Sequence, residues 1–158
     1  MRVQELMTKS VVGCRTTDTL NDAARIMWEA DCGCVPVLDD QGKPIGMITD
    51  RDICMATYTQ GKPPFAISVS SVMSQAVVTC RVDDTVANAE SLMRQHQLRR
   101  LPVVDASGSV AGILSLNDIA THAQVKQAAN QDELGGDAIA RTLAAICAKG
   151  TVQTAYAE

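Results

Sequence analysis

Two short runs hold the side chains with the most chemical potential in this sequence. They are Gly46-Met47-Ile48-Thr49-Asp50-Arg51-Asp52 and Gly112-Ile113-Leu114-Ser115-Leu116-Asn117-Asp118. In each, a hydroxyl (Thr49, Ser115) at a strand end is followed three residues later by a carboxylate (Asp52, Asp118). An ionised carboxylate only accepts hydrogen bonds, so it suits the paired hydroxyls of a ribose, while the hydroxyl can bind phosphate or ribose. The same spacing also describes a carboxylate capping its own helix, and both readings stand. Gly46 and Gly112 let strand backbone approach a ligand closely. Arg51 lies beside a helix N-terminus, which itself attracts anions. Arg99 and Arg100, with His96 close by, can hold a phosphate or simply be solvated.

Other chemistries find little support. There is no nucleophile paired with a base, no metal triad and no glycine-rich phosphate loop, so the chain is not expected to be an enzyme. Six cysteines occur: Cys14, Cys32, Cys34, Cys54, Cys80 and Cys147. Cys32-Gly33-Cys34 could be half of a metal site or a redox pair. A structural zinc site needs four ligands, however, and neither His96 nor His122 is spaced as a partner. Most of the cysteines are expected to be reduced, buried, small hydrophobes.

The elements that position these residues come twice. Sliding Met7 onto Met73 aligns the two halves without a gap through Ile53 and Ile119. Identical pairs include Val11/Val77, Cys14/Cys80, Asp18/Asp84, Thr19/Thr85, Ala23/Ala89, Met27/Met93, Pro36/Pro102, Gly46/Gly112 and Asp52/Asp118. Each copy reads β-α-β-β-α. A short strand, Val11 to Cys14, precedes a helix capped by Thr19, with Asp22 in its first turn. Leu20, Ala23, Ala24 and Met27 form that helix's apolar face. Strands at 35–38 and 45–49 make a hairpin through Asp39-Asp40-Gln41-Gly42, and a helix at 51–57 closes the unit. The second copy repeats this with Val77 to Cys80, Thr85 to Gln95, Leu101 to Val104 and Val110 to Ser115. Pro36 and Pro102 are placed at strand starts, where a missing N–H is tolerated. The fold class is α/β (α+β): two repeats packed about a pseudo-twofold axis, because one unit alone cannot cover both faces of its sheet. The divisions are 1–59 for the first repeat, 60–70 for a linker, 71–122 for the second repeat and 123–158 for a helical tail. In that tail a helix from Gln124 to Glu133 breaks at Gly135-Gly136. Asp137 then caps a second helix whose stripe, Ile139, Leu143, Ile146 and Cys147, docks on the module or on a partner, and the end frays after Gly150.

Composition narrows the partners. The 158 residues are 46% hydrophobic but only 3% aromatic, with a net charge of −4. Nucleic-acid binding would favour a basic surplus and aromatics for stacking, and this chain has neither. No apolar run approaches a membrane span, and Met1-Arg2-Val3-Gln4-Glu5 does not open a signal peptide, so a soluble cytoplasmic protein is expected.

The motifs Thr-x-x-x-Ala-x-x-x-Met, Pro-Val and Gly-h-h-Thr/Ser-x-x-Asp (h is apolar), in this order and duplicated, resemble the CBS-domain family in its tandem form, the Bateman module. The resemblance covers about residues 3 to 122 and is closest in kind to small stand-alone bacterial members such as the hypoxic response proteins. It implies a regulatory module that binds AMP, ADP or ATP in the cleft between repeats, with no other cofactor and no metal. S-adenosylmethionine and nicotinamide dinucleotides share the adenosine part, and a ligand-free dimerisation scaffold is a second reading. The implied nucleotide-binding residues are Thr49, Arg51, Asp52, Ser115, Asp118, Arg99, Arg100, Val37 and Val103, with Cys14 in a strand near the cleft. The second copy has Asn117 in place of Arg51, and the first has Gly33 and Cys34 in place of Arg99 and Arg100, so the two sites are unequal. Because the first copy brings Thr49, Arg51 and Asp52 together, Asp52 is expected to matter more than Asp118. The resemblance also implies a homodimer, through the helices of Met27 and Met93, and an unknown protein partner.

Overall fold

The computed structural model describes residues 1–128 and 136–147 of the chain. The first repeat contains β2 (Cys14–Arg15), α1 (Leu20–Glu29), β3 (Cys34–Leu38), β4 (Pro44–Thr49) and α2 (Asp50–Gln60). The second contains β5 (Cys80–Arg81), α3 (Val86–His96), β6 (Arg100–Val104), β7 (Val110–Ser115) and α4 (Leu116–Ala128). A short β1 (Thr8–Lys9) precedes them and α5 (Gly136–Cys147) follows. The duplicated β-α-β-β-α order of the sequence is therefore the order of the fold. The Thr19 hydroxyl accepts from the Asp22 N–H at 3.3 Å, and Asp22 accepts in return from the Thr19 N–H at 3.0 Å. The Thr19 hydroxyl, donating to Asp22 Oδ2 at 2.7 Å, and the Thr19 N–H hold the Asp22 carboxyl below its usual range. In the hairpin turns Gly42 and Gly108 take φ of 76° and 85°, where any side chain would be strained.

The prolines correct one expectation and explain another. Pro36 and Pro102 sit mid-strand, opposite Met47 and Ile113, rather than at strand starts. Met47 exchanges both of its backbone hydrogen bonds with Ser74 on the far edge of β4. Its partner Pro36 therefore directs its nitrogen away from β4, toward β2. Parallel pairing between β2 and β3 begins only at Cys14↔Val37, one residue beyond the missing donor. The strands expected over 11–14 and 77–80 are accordingly cut to Cys14–Arg15 and Cys80–Arg81. Val11 and Val12 are left outside the ladder.

The packing units are offset from the sequence repeats. Val3 is fully buried in the second repeat's core, and β1 pairs antiparallel with β7, Thr8 opposite Ile113. Reciprocally, Ile67 and Val69 are buried in the first repeat's core, and Ser74 bridges to Met47. Residues 60–70 therefore include core positions and are not simply a linker, since burying Ile67 and Val69 removes apolar surface from water. The same exchange corrects the role given to Gly46 and Gly112. A Cβ on Gly112 would lie 2.6 Å from the Thr8 carbonyl oxygen, and one on Gly46 would lie 2.7 Å from the Met73 sulfur. The close approach these glycines permit is that of the chain's own leading segments, not of a ligand. The hairpin turns add a further tie between repeats, with the Val110 N–H donating to the Gly42 carbonyl at 3.0 Å.

The helix expected from Gln124 is a continuation of α4 as far as Ala128; the rest of that expectation, to Gly135, lies outside the described residues, as does the end after Gly150. α5 docks on the second repeat. Ile146 and Ile139 join its core, and the fully buried Thr142 accepts from Arg94 at 2.9 Å and donates to the buried Glu90 at 3.4 Å.

Candidate functional site

Each hydroxyl–carboxylate pair closes the start of a helix. The Thr49 hydroxyl donates to Asp52 Oδ2 at 2.7 Å, and the Ser115 hydroxyl donates to Asp118 Oδ2 at 2.6 Å. The same oxygens accept from the Thr49 and Ser115 backbone N–H groups, at 2.9 and 2.8 Å. The capping reading is thus realised in both copies. It occupies one carboxylate oxygen in each and leaves Oδ1 without a hydrogen bond among the described residues.

What distinguishes the copies is the space beside them. A cleft of about 420 Å³ opens between the repeats on the Asp118 side. One wall comes from the second repeat: Arg100, Ile113, Ser115, Asn117 and Asp118. The other comes from the first repeat, as Asp31 to Val35 and the unpaired Val11-Val12 segment. The short β2 is what frees those two valines, and Val12 is 59% exposed. The cleft therefore offers an apolar wall, a carboxylate, a hydroxyl and one guanidinium. The Arg100 side chain makes no hydrogen bond or ion pair among the described residues.

The chain matches the family model of the CBS domain twice, over residues 3–58 and 69–124. The chain belongs to the CBS-domain family. It is 38% identical over 127 residues to the CBS domain-containing protein YhcV of Bacillus subtilis, covering 80% of this chain and 89% of that one. Hypoxic response protein 1 of Mycobacterium tuberculosis is 29% identical over 119 residues, covering 75% of this chain and 82% of its own. Among solved structures, the CBS-domain pair of protein MJ0100, in complex with 5′-methylthioadenosine and S-adenosyl-L-methionine, superposes with a TM-score of 0.72. It is 25% identical, over 80% of this chain and 98% of that one.

Within this CBS pair the structure sorts the residues singled out in the sequence. Ser115, Asp118 and Arg100 line one cleft. Arg99 lines an adjoining pocket against Ile139 and Leu143 of α5, which shares Arg100, Ser115 and Asn117 with the cleft. Asp52 borders a shallow depression of about 300 Å³ with Met55, Thr59 and Ser71, and neither Thr49 nor Arg51 lines it. Val37 and Val103 are fully buried in the two cores, so their side chains are packing residues and do not line the cleft. Cys14 is also core rather than cleft, with its thiol against the Pro36 carbonyl at 3.8 Å. Burial and the nearby Asp18 push that thiol up to about 11. Burial and Asp84 push the Cys80 thiol up to about 12. Cys14, Cys32, Cys34, Cys54 and Cys80 are free thiols, with Cys14, Cys34 and Cys80 buried and Cys32 and Cys54 exposed. Among the described residues, no cluster of three His, Cys, Asp or Glu side chains could hold a metal, and no helix is long and apolar enough to cross a membrane.

The sequence reading missed Val11, Val12, Asp31 and Ile113 as cleft residues. The available signal was the repeat itself. Once two copies pack about a twofold, the residues opposite a motif come from the other copy's strand ends, not from its own sequence neighbours.

Proposed function

We propose that this CBS pair is a non-enzymatic regulatory module that binds an adenine nucleotide in the cleft between its repeats. The observation carrying this reading is the convergence of Arg100, Ser115 and Asp118 on one inter-repeat cleft with an apolar opposite wall. In this arrangement Asp118 Oδ1 accepts from the ribose hydroxyls while Oδ2 keeps the helix cap. The Ser115 hydroxyl and Arg100 meet the phosphate, and Val11, Val12 and Ile113 pack on the base. Ligand bridging the two walls ties the repeats together, and a partner protein reads the change. The bound adenosyl groups of the MJ0100 pair support the ligand class. A thermal-shift series with adenosine, AMP, S-adenosylmethionine and guanosine monophosphate tests it. A rise in Tm with adenosyl compounds alone is expected; no rise with any of them would leave an empty dimerisation scaffold as the better account.

The α-helical faces support a homodimer through the first repeat. α5 covers the α3 face and Met93 is fully buried, so the second repeat's helix is not offered for this contact. On the first repeat, the groove of Ala24, Met27 and Ile53 is bordered by Trp28, which is 87% exposed. A twofold contact of this face with its copy would cover the indole.

A further inference from the structure

The ionisable groups around the cleft are unequal in sign. Arg100 is the one cation among its described lining residues, while Asp31 and Asp118 are carboxylates. Asp50 approaches the same corner. Its Oδ2 lies 3.0 Å, and an Arg100 guanidinium nitrogen 3.8 Å, from where a Cβ on Gly33 would stand. Position 117, on the cleft wall in the first turn of α4, is a neutral asparagine where the first copy carries Arg51.

We propose that the cleft selects adenosyl ligands carrying no more than one phosphate and discriminates against each phosphate added beyond it. The proposal rests on the adenine-nucleotide reading above and extends it to specificity. A single phosphate can pair with Arg100 and with the N-terminal end of α4, where the helix dipole favours an anion. Beyond Arg100, the cleft's described lining residues offer a second and third phosphate no further cation, and Arg99 lies on the adjoining pocket toward α5. The added phosphates extend instead among the carboxylates of Asp31 and Asp50. Because the cleft is open to water, each added charge is partly screened, and the expected loss is roughly three- to tenfold in affinity per phosphate. The first copy's motif, with Arg51, differs from the second at the position that would relieve this.

The test is titration calorimetry with adenosine, AMP, ADP and ATP, free of divalent metal, on the full chain and on Asn117→Arg, Asp31→Asn and Arg100→Ala. AMP is expected to bind the unaltered chain tightest, with ATP at least about tenfold weaker and the gap narrowing as salt is raised. Asn117→Arg, on an exposed side chain, should tighten ATP about tenfold while changing adenosine little. Asp31→Asn should shift ATP in the same direction by less. Arg100→Ala should erase the advantage of AMP over adenosine. Binding of ATP as tight as or tighter than AMP by the unaltered chain overturns the specificity and leaves the adenine-nucleotide reading standing. Failure of all four ligands overturns both.

Discussion

Asp118 and Ser115 meet through a single carboxylate oxygen. Oδ2 accepts from the Ser115 hydroxyl at 2.6 Å and from its N–H at 2.8 Å. One carboxylate can therefore cap α4 and still offer Oδ1 to a ligand, so the two readings of this spacing are compatible rather than rival.

The consequence is separable by mutation. Asp118→Ala should lower unfolding stability by about 0.5–2 kcal/mol through the lost cap. It should also weaken AMP binding roughly ten- to a hundredfold and narrow the preference for AMP over its 2′-deoxy form. Asp52→Ala should cost similar stability yet leave AMP affinity within about twofold, because it lies away from the cleft. Calorimetry and urea unfolding on both variants decide between them. This order reverses the sequence-based expectation that favours Asp52; a larger binding loss in Asp52→Ala would restore it.

Gly112→Ala and Gly46→Ala test the exchange of leading segments. The Gly112 Cβ would meet a backbone oxygen of Thr8, whereas the first clash at Gly46 is with the flexible Met73 side chain. Gly112→Ala is expected to destabilise by about 1–3 kcal/mol, and Gly46→Ala by less. Equal urea midpoints for the two would count against the strand pairing of Thr8.

Docking of α5 depends on a buried polar trio. Thr142→Val keeps the volume but strips Arg94 and Glu90 of a shared hydroxyl, and should cost about 1–3 kcal/mol. Hydrogen exchange should then speed up in α5 first. Unchanged exchange there would show that Ile139 and Ile146 suffice to hold it.

The thiols should sort by burial. With folded values near 11 and 12 against an ordinary value of 9.0, Cys14 and Cys80 remain protonated when an exposed thiol has ionised. The unfolded chain gives up these protons first. Their contribution to stability is therefore complete below about pH 9 and is lost as pH rises toward 11 and 12. Iodoacetamide at pH 8, mapped by mass, should modify Cys32 and Cys54 long before Cys14 and Cys80; rapid labelling of Cys80 would contradict the packing.

Trp28 is the only tryptophan in the chain, so its emission reports the proposed dimer face. Light scattering should give twice the 16.8 kDa chain mass at micromolar concentration, with emission shifting red on dilution. Trp28→Asp should give the monomer mass without loss of helix content. A monomer in the unaltered chain would remove the dimer from consideration.

The sequence by itself determined the duplicated unit. The pairs Thr19/Thr85, Gly42/Gly108 and Pro36/Pro102 act through local physics: a cap within one turn, a positive φ, and a donor absent from its own residue. Even the hydroxyl–carboxylate boxes of Thr49 and Ser115 were legible, since each spans three residues. Only the tertiary structure decided that Val3 belongs with the second repeat's core and Val69 with the first's, because burial depends on which copy's surface a segment meets. It also decided that Val37 is core while Val11 and Val12 face the cleft, since Pro36 stops a ladder whose partner strand lies far away in sequence. The choice of Asp118 over Asp52 is of the same kind. Two motifs that are nearly equal as sequence acquire different neighbours, and the cleft of about 420 Å³ lies beside Asp118 rather than Asp52.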